Sequence, residues 1–367
     1  MRYLLFISIV QSILFLAHWF LYRTLVSSFG VASPAKLFTL KVVMALLSVS
    51  LVLTSFVAFR YSNLLIQCLY TAAASWLGIF YLFILAAILL WVFYGLARLF
   101  HLPLDRKICV EVLMGIALAA SLCGFINAGA IRINRIKVQL PHLPGQWKGK
   151  KAVWVSDTHL GQVRNYGFAR KIAAEVTELR PDIVFIGGDL YDGVAVDPDK
   201  TIEPFSKIST PYGSYFVTGN HEEFSDPTPY LQAVRRAGIR VLRNEKVEMD
   251  GLQIIGVDYR DCRRKEDFRM ILQKIGINPH QPSILLKHTP LHLEVAREQR
   301  ISFQLSGHTH QGQVFLFRLI TARVYHGYDY GLKWFGDLLV YTSRGAGTWG
   351  PPMRLDTKPE IVVIEFI

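Results

Sequence analysis

Four long apolar segments dominate the first third of the chain. They are Tyr3–Tyr22, Leu37–Phe59, Leu69–Leu96 and Ile108–Ile131. Each reaches the ~20 residues that an α-helix needs to cross the hydrocarbon core of a bilayer. A buried helical bundle in a soluble protein is the alternative, but four such segments in succession would leave that protein without a polar outer face. The pattern therefore predicts a four-helix transmembrane region over residues 1–131.

From residue 151 the pattern changes to short apolar segments that alternate with amphipathic ones. Residues 152–156 have the pattern of a strand, and residues 165–179 have that of a helix. Such alternation predicts an α/β domain of parallel βαβ units over residues 151–367, with a tail richer in strands. Residues 132–150 contain two prolines and a cluster of basic residues, and predict a juxtamembrane linker. Apolar residues alternate from Ile131 to Leu140, which also fits a strand lying on the next domain.

Composition agrees with a membrane protein. The mean hydropathy is +0.29, and only 19% of the residues are charged. The net charge of +12 is compatible with nucleic acid or with an anionic membrane as partner. Basic residues cluster directly after the last apolar segment, as juxtamembrane residues do, and no nucleic-acid-binding motif occurs. We therefore expect a lipid bilayer, and no nucleic acid, as partner.

Cysteine positions and the basic residues that flank the apolar segments bear on the compartment. Three of the four cysteines lie in or directly beside apolar segments, which argues against a disulfide framework, and none of the four has metal-ligand spacing. Four spans place both termini on one side of the membrane. Eight basic residues lie on that side and six on the other, so an integral multi-pass protein with a cytoplasmic catalytic half is favoured.

Polar motifs follow five of the predicted strands. His308 and His310 lie two residues apart between predicted strands 301–306 and 314–317, so both can face one cleft. The other four motifs are Asp157-Thr158-His159, Gly188-Asp189, Gly219-Asn220-His221-Glu222 and Lys287-His288. Because ligand crevices in α/β sheets lie at the carboxyl ends of the strands, we expect the five motifs to form one site.

The residue types in these motifs indicate metal-dependent phosphoryl chemistry. Asp, His and Asn without cysteine favour hard or borderline divalent ions such as Mn, Fe, Zn or Mg. Seven candidate ligands are too many for one ion, but they suit two ions that share a carboxylate. Two such ions can clamp a phosphoryl group and generate hydroxide near neutral pH.

In order and spacing the five motifs resemble those of the calcineurin-like metallophosphoesterases. The tail resembles a membrane-anchored subgroup of bacterial enzymes and animal transmembrane proteins with a metallophosphoesterase domain. This similarity lies in Ser343-Arg344-Gly345-Ala346-Gly347, Pro352, Arg354-Leu355 and Pro359-Glu360-Ile361. The resemblance covers about residues 150–367. It implies an N-terminal transmembrane α-helical region followed by an α/β metallophosphoesterase domain, a four-layer α/β/β/α sandwich.

The resemblance also implies a role for each site residue. The first ion would be held by Asp157, His159, Asp189 and His310, and the second by the bridging Asp189 with Asn220, His288 and His308. Manganese is favoured. His221 would face the scissile phosphate and protonate the leaving oxygen, oriented by Asp192. The family usually has glycine at Gln311, whose side chain is therefore expected to contact substrate or narrow the cleft. The role of Glu222 stays open.

The site alone does not choose among monoester, diester and pyrophosphate substrates. A domain held close to the bilayer suits a lipid-linked substrate, and some relatives hydrolyse UDP-diacylglucosamine, which is our leading specific expectation. Residues 315–320 and the aromatic Trp334, Phe335 and Trp349 form either an exposed apolar patch for acyl chains or ordinary β core. A nucleotide or cyclic-nucleotide phosphodiesterase or nuclease would use the same site. A non-enzymatic membrane sensor would need a broken site, whereas every ligand position is filled.

Overall fold

A computed structural model describes residues 2–367, and the chain divides into two compact units. The first comprises Met1–Ile126 with Gly350–Met353, and the second comprises Asn127–Trp349 with Arg354–Ile367. We describe each unit separately.

The first unit is built on long apolar helices. These are α1 (Arg2–Phe29), α2 (Pro34–Ala58), α3 (Leu64–Leu99) and α4 (Arg106–Gly129). Pro34 begins α2, where its missing N–H has no helical partner to lose, and the Asn63 side chain accepts the N–H of Ile66 to cap α3. All four helices are long and apolar enough to cross a membrane. The chain is thus a membrane protein, as its apolar pattern predicts.

Polar side chains within these helices form hydrogen bonds to neighbouring helices. The Gln11 amide donates to the carbonyl of Ser48 over 3.1 Å, and the Trp76 indole donates to Nε2 of His18 over 3.0 Å. Since a bilayer offers no water to satisfy polar groups, such bonds between helices let polar residues lie at membrane depth.

Twelve strands and six further helices form the second unit within the described residues. In chain order the strands are β1 (Arg132–Val138), β2 (Lys151–Val155), β3 (Ile183–Ile186), β4 (Ser214–Phe216), β5 (Arg240–Val241), β6 (Glu245–Met249), β7 (Leu252–Gly256), β8 (Ser283–Leu286), β9 (Phe303–Ser306), β10 (Gly331–Phe335), β11 (Leu338–Thr342) and β12 (Glu360–Phe366). The helices are α5 (Tyr166–Glu178), α6 (Pro198–Ile202), α7 (Thr228–Arg236), α8 (Lys265–Ile275), α9 (Leu293–Glu298) and α10 (Phe317–Val324), with short 3₁₀ turns at Gly145–Trp147, Glu203–Lys207 and His310–Gly312.

The strands form two six-stranded sheets, which have the orders β1-β12-β2-β3-β4-β5 and β10-β11-β9-β8-β7-β6. In the first sheet β2 to β5 run parallel, and in the second β7, β8, β9 and β11 run parallel. Alternate residues of one strand enter different cores, so that Trp154 lies between the sheets while Val153 packs with α5 and α7. Likewise, Leu286 lies in the core between the sheets, whereas Leu285 lies in the core under α8 and α9. The four-layer α/β/β/α sandwich is confirmed.

Two segments differ from the sequence prediction. Val314–Phe317 was expected to be a strand, but residues 314–316 form a turn and Phe317 begins α10, because both neighbouring positions beside β9 are taken by β8 and β11. The predicted linker, residues 132–150, begins with β1, which pairs in parallel with β12 along all seven of its residues. The alternating isoleucines had indicated a strand there, but its partner lies more than two hundred residues away.

Candidate metal centre

The predicted ligands lie where strands of the two sheets end. Asp157 and His159 follow β2, and Asp189 and Asn220 follow the adjacent strands β3 and β4. In the second sheet, His288 follows β8, while His308 and His310 follow its neighbour β9. The carboxyl ends of these five strands meet, so the structure brings the five motifs together.

One group of possible ligand atoms belongs to Asp157, His159 and His310, and these atoms lie within 4.8 Å of one another. The Nε2 atoms of His159 and His310 are 3.0 Å apart, and Nε2 of His310 lies 3.7 Å from Oδ1 of Asp157. All three residues are buried. Two imidazole nitrogens that face one point beside a carboxylate form an arrangement suited to a divalent ion.

A second group contains Asp189, His288 and His308. Oδ2 of Asp189 lies 3.1 Å from Nε2 of His288, which is in turn 3.2 Å from Nδ1 of His308. The same Asp189 oxygen is 3.9 Å from Nε2 of His159, a member of the first group. Asp189 therefore stands between the two groups, as a bridging carboxylate would.

A hydrogen bond behind His288 fixes which of its nitrogens faces the centre. Nδ1 of His288 lies 2.8 Å from the carbonyl oxygen of Gly187, which can only accept. Nδ1 therefore carries the proton, and Nε2 is left for the centre, which is the usual arrangement behind a metal-bound histidine. Burial opposes the charged form, but Asp189 and Asp157 outweigh it and raise the pKa of His288 to about 9. Burial would raise the pKa of Asp189, yet His288 and His221 hold it well below its usual value.

Two buried oxygens at the centre lack a hydrogen-bond partner among the described residues. They are Oδ2 of Asp157 and Oδ1 of Asn220. A buried oxygen acceptor without a donor is costly, so such atoms in a native site call for an ion or water. The donor set of carboxylate, amide and imidazole fits a divalent metal, and the two free oxygens point to the same conclusion.

The backbone of the centre is strained at its ligands. Asp157, His159, Asp189, His308 and His310 all have positive φ angles, between 47° and 69°. Each such non-glycine residue costs of order 1–3 kcal/mol and persists only where its surroundings hold it. At Gly219 a Cβ would stand 2.1 Å from Oδ1 of Asp189, so only glycine lets these two loops approach. The fold therefore accepts local strain in order to aim these side chains inward.

His221 forms a third group of possible ligand atoms with His159 and Asp189, and a backbone carbonyl holds its ring as one holds that of His288. Its Nδ1 is 2.9 Å from the carbonyl oxygen of Asp192 and 3.6 Å from Oδ1 of the same residue, whereas that Oδ1 is only 3.2 Å from Nδ1 of His159. The Asp192 backbone therefore orients His221, and its carboxylate contacts a candidate ligand more closely. Burial lowers the pKa of His221 and raises that of Asp192 to about 7. With Nδ1 donating to a carbonyl, Nε2 of His221 is the atom that can exchange a proton.

Comparison with known proteins agrees with this geometry. The model of the calcineurin-like phosphoesterase family matches residues 150–312. An uncharacterized metallophosphoesterase of Helicobacter pylori strain J99 is 30% identical over 281 residues, which are 75% of either chain. The chain belongs to the calcineurin-like metallophosphoesterases.

Other metallophosphoesterases are also similar in sequence to this chain. An uncharacterized member from Aquifex aeolicus is 32% identical over 244 residues, which cover 64% of this chain and 91% of that protein. The transmembrane protein with metallophosphoesterase domain from Danio rerio is 32% identical over 257 residues, which cover 66% of this chain and 59% of that protein. The family and the membrane-anchored relatives expected from the motifs are thus confirmed. As a metallophosphoesterase the chain is a hydrolase of phosphoric esters.

Glu222 of this metallophosphoesterase, whose role the sequence leaves open, is buried behind the ligands. Its Oε2 accepts the N–H groups of Asp189 and Gly219 over 2.9 and 2.7 Å, and its Oε1 accepts that of Tyr191 over 2.9 Å. Burial and the nearby Asp189 raise the pKa of Glu222 to about 7. One carboxylate therefore ties the loop that carries Asp189 to the loop that carries Asn220.

Arg354 supports the opposite side of the centre, and the sequence indicated it only as part of the tail similarity. It is fully buried, and its guanidinium donates to the carbonyls of His310, Arg344 and Gly347 over 3.1, 2.7 and 2.6 Å. Gly347 in turn donates its N–H to the carbonyl of Asp157. Arg354 thus joins the His310 turn to the loop that lies over Asp157.

Gln311, which stands where the family usually has glycine, accepts a hydrogen bond from an arginine. Nε of Arg344 donates to Oε1 of Gln311 over 2.6 Å, and the Arg344 guanidinium lies 3.8 Å above the Tyr330 ring. Gln311 itself has a φ of 49°. The side chain therefore orients a cation close to His310, a role that the sequence could not indicate because Arg344 lies 33 residues further along the chain.

Proposed function

We propose that this protein is a membrane-bound phosphoesterase that uses two divalent metal ions, with manganese favoured, to cleave a phosphodiester or pyrophosphate bond of a lipid-linked substrate. The observation that carries the proposal is the position of Asp189 between two groups of candidate ligands, beside buried oxygens without partners. Membership in the metallophosphoesterase family supports the chemistry.

The seven candidate ligands divide between two ions. Asp157, His159 and His310 would hold the first, Asn220, His288 and His308 would hold the second, and Asp189 would be shared. When bound, such ions polarise a phosphoryl group and supply hydroxide near neutral pH. The hydrogen bond between the His308 N–H and Oδ1 of Asp157, of 2.9 Å, ties ligands from the two sheets together.

His221 would serve as the proton donor to the leaving oxygen. Its backbone N–H donates to Oδ1 of Asp189 over 2.9 Å, and its ring is oriented by the Asp192 carbonyl, so Nε2 is available to the substrate. Burial lowers the pKa of His221, and the nearby carboxylates of Asp189 and Asp192 oppose that shift only in part, so the imidazolium that a proton donor requires depends on these two carboxylates. Asp192, closer to His159, would position both histidines.

Apolar side chains at the rim of the centre favour a lipid-linked substrate. The Phe224 ring lies 4.3 Å from that of His221, and the Trp349 ring lies 6.0 Å from it. These two aromatic side chains are 55% and 59% exposed, and because both lie beside His221 they present apolar surface to a ligand at the centre. Together with the four membrane-spanning helices, they favour an amphiphilic phosphoester, with UDP-diacylglucosamine-type pyrophosphate as the specific candidate. We place the catalytic domain on the cytoplasmic side.

The test compares substrates on the full-length protein purified in detergent. With Mn²⁺ present we expect hydrolysis of an aryl phosphodiester, loss of that activity with a chelator, and faster turnover of UDP-diacylglucosamine than of an oligonucleotide or a cyclic nucleotide. Activity that survives complete metal removal would contradict the two-ion proposal. Faster turnover of the nucleotide substrates would favour a nucleotide phosphodiesterase in its place.

A further inference from the structure

Helix α10 exposes its apolar residues next to the metal centre. No residue of this helix is buried, and Leu319, Ile320 and Val324 are 63%, 56% and 55% exposed. Phe315 and Leu316, just before the helix, are exposed as well. A helix of a soluble domain normally turns its apolar side chains to the core, so a continuous exposed set of this kind marks an interaction surface.

The charges around this surface indicate what kind of partner it fits. No acidic residue occurs between Glu298 and Asp329, a stretch that includes the whole of α10. Two carboxylates contact the helix: Asp356 pairs with Arg318 over 3.0 Å, and the buried Asp329 accepts from the Thr321 hydroxyl over 3.2 Å. Arg323 is exposed in the last turn. A short helix that combines exposed aliphatic side chains with arginine and lacks acidic residues suits the interface of an anionic bilayer.

The backbone connects α10 directly to the metal centre. Gly312, two residues after His310, has a φ of +77°, and a Cβ there would stand 2.3 Å from the N atom of Arg318. The first turn of α10 therefore rests on the turn that carries His310. Gln313 also exchanges two hydrogen bonds of 2.9 Å with the backbone of Trp349, so the residues before α10 hold the exposed tryptophan beside His221.

We propose that α10, together with Phe315 and Leu316, docks in the interface of the bilayer that the same chain spans. This docking would bring the opening of the metal centre to the level of the lipid headgroups. The bilayer is the partner favoured over a second protein because α4 ends at Gly129 and β1 begins at Arg132, so only two residues separate the last membrane helix from the catalytic fold. The inference deepens the proposed function, since it explains how a lipid-linked phosphoester would reach the site.

The test measures the environment of α10 in the full-length protein. The chain, with its four cysteines replaced by serine, is reconstituted in nanodiscs of phosphatidylcholine and phosphatidylglycerol, and carries a spin label at Ile320→Cys or, as matched control, at Met270→Cys. Met270 is 60% exposed on α8, a helix of the same unit that packs on the second sheet. Collisions of each label with oxygen, which partitions into lipid, and with a water-soluble nickel chelate are compared.

We expect the label at position 320 to collide with nickel at least about fivefold less often than the label at 270, and more often with oxygen, because interfacial helices lie some 5–10 Å deep. The substitutions Leu319→Glu and Ile320→Glu together should lower turnover of a diacylglycerol aryl phosphodiester in the same nanodiscs by about tenfold or more. Turnover of a soluble aryl phosphodiester should stay unchanged.

Equal nickel collisions at both positions would overturn the docking proposal, as would a label at 320 shielded from both reagents, which indicates a protein partner. Shielding that arises only when the acyl-chain substrate is added would show that the surface binds substrate and not the bilayer. These outcomes are separate from a failure of the proposed function, which would appear as loss of metal-dependent turnover of the soluble diester in the unsubstituted protein.

Discussion

Replacement of Glu222 by glutamine tests whether the loops of the centre depend on one buried carboxylate. Glu222 accepts three backbone N–H groups, from Asp189, Gly219 and Tyr191. Glutamine keeps the volume and one oxygen, so it preserves packing while it removes the charge and one acceptor. If the amide oxygen takes the place of Oε2, the NH₂ group faces the N–H of Tyr191, and that donor is left without a partner.

The expected loss of stability follows from these hydrogen bonds. An unsatisfied buried N–H costs about 1–3 kcal/mol, and hydrogen bonds to a neutral acceptor are roughly half as strong as those to a carboxylate. We therefore expect Glu222→Gln to lower the free energy of unfolding by about 2–4 kcal/mol. Because the loops that carry Asp189 and Asn220 are then held less firmly, metal affinity should fall by about 10–100-fold, as for other residues behind metal ligands.

The assay measures metal affinity by calorimetry and stability by chemical denaturation, both at about pH 8, where the Glu222 carboxylate is largely ionised. Glu223→Gln is the matched control. Glu223 lies on the same loop, but its side chain accepts from the Thr218 hydroxyl of that loop and lies 3.6 Å from Arg260, so it does not tie the Asp189 loop to the Asn220 loop. Wild-type metal affinity and stability in Glu222→Gln, or equal losses in the two variants, would refute this reasoning.

Two further predictions concern protons and the cleft. Since the pKa of His288 is about 9 in the metal-free protein, metal binding near neutral pH must displace its proton. The apparent metal affinity should therefore rise as the pH rises towards 9. Calorimetry in two buffers of different ionisation enthalpy should show about one proton released per chain from this histidine. Gln311→Gly removes the acceptor that orients Arg344, but it also relieves a left-handed backbone conformation, so the free energy of unfolding should change by less than about 1 kcal/mol. Because Arg344 is then no longer oriented, KM for an anionic diester should rise more than kcat falls.

Each of these has its own control. A metal affinity that stays constant from neutral pH to pH 9 would contradict the prediction that His288 carries a proton before the metal binds. For Gln311, the matched variant is Gln311→Asn at the same backbone position, whose shorter side chain keeps the amide, tolerates the left-handed conformation and tests the reach to Arg344. An unchanged KM in both variants would show that the orientation of Arg344 does not matter for substrate.

The convergence of the five motifs could be predicted because it rests on local patterns. Each motif follows a short apolar run, and a parallel sheet places the ends of such runs at one edge. His308 and His310 illustrate the limit of that reasoning. Their spacing alone suggested two side chains on one side of a strand, whereas they lie beyond the end of β9 with positive φ angles. Their division between different groups of candidate ligands was implied only by the family resemblance.

Features that depend on distant residues could not be predicted. The run Val314–Phe317 is apolar enough for a strand, but β9 already has a neighbour on either side, so the chain turns into α10 and exposes its apolar residues. Glu222 and Arg354 act through backbone groups that the fold brings to them, and backbone groups carry no sequence signal. Arg354 is a fully buried cation, which hydrophobic patterning places at the surface.

The central claim is that two ions are held by one set of residues while His221 moves the proton. The most direct measurement is the metal content, by mass spectrometry, and the aryl phosphodiester turnover of the wild type, Asp189→Ala and His221→Ala. We predict two ions per chain in the wild type, joint loss of metal and turnover in Asp189→Ala, and retained metal with turnover lowered by at least about 100-fold in His221→Ala. Equal loss of metal in both variants, or full metal content in Asp189→Ala, would contradict the account.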